Sequence, residues 1–172
     1  MFALSKLHAP CRASGRVTGG EVCGQPHGRP RLVGLDLFAS VSHSADRVTV
    51  ALTPAGPVGI DVERIGPIDV GALASHVLGS NEDAQSAREF FKYWVRKESV
   101  VKATGDGIVV GLDRVHVSRP GEPALLLDYP GRSLPSASMT DLNPGDDYVA
   151  AVTVLAPGSI IVTEQYWTSL LA

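Results

Sequence analysis

Apolar and polar positions alternate along residues 35–63, and the period then lengthens. "LDLFASVS" (35–42), "RVTVAL" (47–52) and "VGIDVE" (58–63) carry the β-branched residues and short alternation of strands, with "TPAGP" as a turn before the third. The three are expected to lie as neighbouring antiparallel strands. "IGPIDVGALASHVLG" (65–79) predicts a loop and a short helix that Asp69 helps to start. "SNEDAQSAREFFKYWVRKESVVKATG" (80–105) is the longest helical stretch, with Ser80 or Asn81 expected as N-cap, acids in the first turn and Gly105 as terminator. Four strand candidates follow: "LDRVHVSR" (112–119), "PALLLDY" (123–129), "SASMTDL" (136–142) and "DYVAAVTVL" (147–155). A last apolar piece, "IIVTEQYW" (160–167), is expected to close a sheet edge. Residues 1–31 are rich in Gly, Pro and Arg and predict mostly loop, with a short strand near Val22. Strands, then helices, then strands predict an α+β protein with no short internal repeat.

The long helix carries a charge in an unexpected place. At roughly 100° per residue, Phe91, Trp94, Val95 and Val101 gather into one apolar arc. Glu98 lies near the middle of that arc, with Lys102 one turn further on. A carboxylate facing a core is costly unless something compensates its charge. Lys102 could do so as a simple i, i+4 partner, or a cation could. Lys97, at the edge of the arc, reads either as a phosphate contact or as a solvated side chain.

Composition adds boundaries. The chain has 172 residues, 44% of them hydrophobic and 19% charged, enough for a real core. A formal net charge of -3 does not suggest general nucleic-acid binding, so any anionic ligand must be met by local positive groups. Cys11 and Cys23 match no zinc spacing and read as two free thiols. No apolar run is long enough for a membrane span, and "MFALSKLHAPCRAS" lacks the apolar centre of a signal peptide, so a cytoplasmic location is expected.

In "VGIDVE" alternation puts Val58, Ile60 and Val62 on one face and Gly59, Asp61 and Glu63 on the other. Two acids beside a glycine, which has no side chain to obstruct a ligand's approach, suit a hard cation such as magnesium, which takes one or two carboxylates plus substrate phosphates and water. They suit a half-exposed strand facing solvent equally well. "VSHSAD" (41–46) sets His43 between two hydroxyls in a turn before a strand, a combination that fits phosphate oxygens or local turn bonds. "PHGRPR" adds Arg29 and Arg31 on a loop, able to fork onto a phosphate or simply to keep the loop solvated. A hydrolase triad is not supported, because there is no G-x-S-x-G elbow.

Taken together, "SVSHS", "VGIDVE" and "WVRKESVVK" resemble the 4'-phosphopantetheinyl transferase superfamily, in its larger, Sfp-like branch. The third stretch fits the family pattern W-x-x-K-E-[AS]-x-x-K at Trp94, Lys97, Glu98, Ser99 and Lys102. "GQPHGRP" looks like the loop that precedes the histidine motif, and "ATGDGI" is similar to the continuation after the helix.

The resemblance implies a fold of two similar α+β lobes with pseudo-two-fold symmetry, antiparallel strands packed on a long helix and coenzyme A in the cleft between lobes. A boundary in "RIGP" gives 1–66 as the N-terminal lobe and 67–172 as the C-terminal lobe. It implies transfer of phosphopantetheine from coenzyme A to a serine of an acyl- or peptidyl-carrier protein, with magnesium, releasing 3',5'-ADP. Fatty-acid, polyketide and nonribosomal-peptide carriers all fit. By the same resemblance Asp61, Glu63 and Glu98 hold the metal, and Glu98 helps take the serine proton. Lys97 and Lys102 stand near the pyrophosphate, Ser42 and His43 contact coenzyme A phosphates, and Arg29 stands where many relatives have lysine. Sfp-like relatives carry more chain before the "GQPHGRP" loop than the two dozen or so residues here. Arg12 and Arg16 are therefore candidates for the 3'-phosphate, and an incomplete first lobe would favour self-association. A non-catalytic relative that binds coenzyme A or a carrier without turnover is the alternative reading.

Overall fold

The computed structural model describes residues 7–8, 31–32, 34–67 and 69–166. Among them an antiparallel sheet runs in the order β1 (Leu7–His8), β2 (Arg31–Leu32), β3 (Phe38–Ser44) and β4 (Arg47–Thr53). β3 and β4 form a hairpin in full register from Phe38↔Thr53 to Ser44↔Arg47. Its two-residue turn holds Ala45 at φ 51°, a left-handed conformation uncommon for a residue with a Cβ. The strand expected near Val22 lies outside the described residues.

A second antiparallel sheet has the order β5 (Val58–Arg64), β9 (Tyr148–Leu155), β8 (Ala137–Leu142). β5 was expected beside the preceding hairpin. Instead it pairs along its whole length with β9, from Val58↔Val154 to Arg64↔Tyr148. The reason lies in β9, whose eight residues are all buried: "YVAAVTVL" is the near-continuous apolar run of a central strand and needs a partner on each side. The sheet therefore crosses the expected boundary at residue 66. β6 (His116–Val117) and β7 (Leu126–Asp128) form a small ribbon. "LDRVHVSR" begins as a single helical turn, Leu112–Arg114, before its two strand residues. Residues 159–166 contain no strand. There Ile160 packs beside Val58, Ile60, Val152 and Val154, while the Tyr166 hydroxyl donates to Asn143 O, so side-chain anchors replace the expected edge pairing.

α1 (Val70–Val77) starts as expected, with Asp69 Oδ1 accepting from Ala72 N at 3.1 Å. α2 (Ala87–Thr104) starts later than expected, because its N-cap is Ser86, which accepts from Glu89 N, rather than Ser80 or Asn81. Glu82, which would have filled a first turn, is drawn into the interior by Lys97 and Gly79 N. Gly105, at φ 76°, closes the helix by donating to Val101 O.

α2 is buried nearly all round rather than along one arc. Tyr93, Val100 and Val101 pack with Val115, Val117 and Met139, while Phe90, Phe91 and Val95 pack with Val77, Val149 and Ala151. Arg96 is fully buried among these residues. Its guanidinium grips Asp141 twice, at 2.8 and 2.7 Å, and donates to the carbonyls of Ser118, Arg119 and Glu122. Every polar edge of that ion is matched, which is what burial of a charge demands. No helix among the described residues is long and apolar enough to cross a membrane.

The contact that orders the fold is at Gly59. A Cβ there would lie 2.0 Å from Ser99 O and 2.4 Å from Ala103 N, so α2 rests its backbone directly on β5. The missing side chain admits the helix. Gly59→Ala should therefore cost about 3 kcal/mol or more, at or beyond the upper end of ordinary overpacking, measured as a lowered denaturant midpoint; a loss below about 1 kcal/mol would contradict the close approach.

Candidate active site

β5 lies at the edge of its sheet, so the N–H groups of Ile60, Val62 and Arg64 point away from β9 and need acceptors. β3 supplies them with side chains. Alternation puts Ser40, Ser42 and Ser44 on one face, and their hydroxyls accept from Ile60 N at 3.1 Å, Val62 N at 3.4 Å and Arg64 N at 3.1 Å. Two of these hydroxyls also donate: Ser42 to Asp61 Oδ1 and Ser44 to Glu63 Oε2, each at 2.8 Å.

α2 brings the remaining groups. Crossing β5 at Gly59, it lays Lys102 beside Asp61, with Nζ 2.7 Å from Asp61 Oδ1, 3.0 Å from Ser42 Oγ and 3.2 Å from Ile60 O. Glu98, one turn earlier, is partly buried and close enough to Asp61 and Glu63 for their charges to act on it. Burial, then repulsion from Asp61, pushes the Glu98 carboxyl above its ordinary range, with Lys102 opposing. Burial likewise raises Asp61 against the pull of Lys102 and Ser42, and raises Glu63 against the Ser44 hydrogen bond, with Asp61 adding to the rise. The three acids expected to act together share one electrostatic environment.

That environment is short of positive charge. Asp61 Oδ2 is buried and, among the described residues, has no hydrogen-bond partner, an open acceptor that a cation would satisfy. Among the described residues no three acidic, histidine or cysteine side chains stand close enough to hold an ion by themselves. Magnesium does not need such a cage, since it commonly takes one or two carboxylates and completes its shell with phosphate oxygens and water. The donor set and the unpartnered oxygen fit a hard cation shared with a phosphate-bearing ligand.

The other expected residues are placed differently. His43 is exposed on β3, opposite Val48, rather than in a turn; the turn follows at Ala45 and Asp46. It lies on the face away from the serines, though near enough for its charge to act on Glu63. Lys97 does not join the acids. It is fully buried, and its ammonium donates to Val77 O at 2.6 Å, Leu112 O at 3.1 Å and Glu82. Burial lowers its basicity and Glu82 opposes that shift. Arg29, Arg12 and Arg16 lie outside the described residues. Glu82 and Arg96 were not foreseen, and Ser44, expected as one of the two hydroxyls beside His43 for phosphate or turn bonds, donates to Glu63.

A family model described as the 4'-phosphopantetheinyl transferase superfamily matches residues 57–153, more than half of the chain. The chain belongs to that superfamily. It is 34% identical over 148 residues to the 4'-phosphopantetheinyl transferase HetI of Nostoc sp., covering 80% of this chain and 60% of HetI. It is 36% identical over 132 residues to psf-1 of Bacillus pumilus, covering 70% of this chain and 54% of the relative. With Sfp of Bacillus subtilis it shares 28% identity over 143 residues, 77% of this chain and 62% of Sfp. The chain thus spans a little over half the length of these transferases. The span matched to the superfamily holds Asp61, Glu63, Glu98 and Lys102, while the serines of β3 precede it.

A pH signature follows from Glu98. Its raised carboxyl keeps a proton in the folded state where the unfolded chain has already lost it. Its contribution to stability therefore falls as pH rises from the ordinary carboxylate range through the raised value. Glu98→Gln removes that penalty. Calorimetry without ligands should show a higher melting temperature than wild type near neutral pH, with the gain fading towards about pH 4. An unchanged or lower melting temperature at neutral pH would refute the shift.

Proposed function

We propose that this chain is a magnesium-dependent 4'-phosphopantetheinyl transferase, moving phosphopantetheine from coenzyme A to a serine of an acyl- or peptidyl-carrier protein. The observation that carries the reading is the meeting of Asp61, Glu63, Glu98 and Lys102 where α2 crosses β5, with one buried carboxylate oxygen left open. Membership of the superfamily and the likeness to HetI and psf-1 support it. Asp61, Glu63 and Glu98 are proposed to hold the magnesium ion, which when bound supplies positive charge to the pyrophosphate oxygens. In the two-lobed arrangement proposed here, coenzyme A lies between the two sheets, near the seam of β3 and β5.

The carrier serine Oγ bonds to the β-phosphorus of coenzyme A as the anhydride bond to the α-phosphate oxygen breaks, and 3',5'-ADP departs with the electron pair. A serine hydroxyl is a weak nucleophile until a base accepts its proton. Glu98 is assigned that role. Its partly buried position beside Asp61 and Glu63 limits competition from water. Lys102, held at Asp61 and beside Ser42, stands ready to meet negative charge gathering on phosphoryl oxygens. Ser42 keeps Asp61 oriented. His43 is proposed as a contact for a coenzyme A phosphate only where the ligand extends past the hairpin turn, because its side chain leaves β3 on the face away from the serines.

Carrier mass decides this reading. Incubation of the chain with coenzyme A, magnesium and apo-carrier proteins should add one phosphopantetheine to at least one carrier, and a chelator should abolish the gain. Glu98→Ala should slow transfer by about 10²–10⁴-fold, the usual contribution of a general base. Coenzyme A binding without any mass gain across the carriers would instead identify a non-catalytic relative.

A further inference from the structure

We propose that Ser44 is a positioning residue for the cation site, acting through Glu63; the inference rests on the magnesium-dependent reading above. The three serines of β3 form a graded series. Ser40 only accepts, from Ile60 N. Ser42 accepts from Val62 N and donates to Asp61, but it also meets Lys102. Ser44 accepts from Arg64 N at 3.1 Å and donates to Glu63 Oε2 at 2.8 Å.

The chemistry of a hydroxyl makes that last pair directional. It carries one proton and can accept as well. With Arg64 N–H pointing at the oxygen, the proton is left to Glu63, and one carboxylate oxygen is held while the other stays available. The structural share of this arrangement is small, because Arg64 N lies at the exposed end of β5, where water can replace the serine. The aim of the half-buried Glu63 side chain has no such substitute. Partners that orient a ligating carboxylate typically contribute 10–100-fold to metal affinity.

Ser40 supplies the control, because it makes the same bond to a β5 amide and, among the described residues, bonds to no acid. Mn2+ binding to the full chain is read by the loss of free-ion electron paramagnetic resonance signal, with coenzyme A present and no carrier. Ser44→Ala should weaken Mn2+ about tenfold, and Ser44→Thr, which keeps the hydroxyl, should stay within about twofold of wild type. Ser40→Ala should lower the melting temperature and leave Mn2+ affinity unchanged. In a Glu63→Gln background Ser44→Ala should have no further effect on Mn2+. The inference is overturned if Ser44→Ala binds Mn2+ as wild type does, if Ser40→Ala weakens binding to the same extent, or if threonine fails to restore it. A wild-type chain that binds no Mn2+ overturns it together with the magnesium assignment. Carrier mass gain by that same wild-type chain then judges the transfer reading separately.

Discussion

Backbone rests on backbone where α2 crosses β5. With no Cβ at Gly59, Ser99 O and Ala103 N come within a distance that no side chain would allow. Everything chemical in the molecule is referred to that point. Two residues along β5 is Asp61 and four along is Glu63, while on the helix Glu98 and Lys102 flank the contact one turn apart. The separation of the acids from the lysine is thus set by main-chain geometry rather than by flexible side chains. The inward burial of α2 on both flanks, together with the matched guanidinium of Arg96, clamps the helix against rotation. A preorganised charged site needs a support of this kind, since small displacements are costly to catalysis.

The site is electrostatically uncomfortable by construction. Three carboxyls are pushed upward by burial, Glu63 and Glu98 also by neighbouring acids, and Lys102 offsets only part of the excess. A fold selected for stability alone would replace at least one of them. Local repulsion of this kind is a common trade where a ligand's charge relieves it, the part proposed above for magnesium. Lys97, one residue before Glu98 in sequence, shows the opposite solution: its ammonium is matched inside the protein by two carbonyls and Glu82.

Much of this was legible in the sequence because the informative stretches are short and periodic. The strands at "RVTVAL" and "VGIDVE", the long helix and its Gly105 terminus, and the inward position of Glu98 follow from alternation, helical period and cap chemistry. What was not legible depends on distant partners. Nothing local to β5 says that its neighbour is β9, nearly ninety residues later, rather than the hairpin beside it. The helix start is ambiguous because Ser80 and Ser86 both qualify, and the choice is made by Glu82 turning inward to Lys97. The fates of Lys97 and Lys102 differ for the same reason: five residues apart on a helix, they face different surroundings, and helical spacing alone cannot say which surroundings hold acceptors. Gly59 was read as room for a ligand, whereas the space is filled by the helix itself.

The seam between β3 and β5 carries information as well as stability. Its three hydroxyls recur at every second residue, as do the three amides they serve. A slip of one residue would bring Val41 and His43 opposite those amides, offering an apolar side chain and an imidazole in place of hydroxyls. A slip of two would strand one amide without an acceptor. The two sheets are not joined by a backbone ladder, yet they can meet in one alignment only. The serines act as the teeth of a key, and the lock they fit is a row of backbone donors that apolar side chains on β3 would leave unturned.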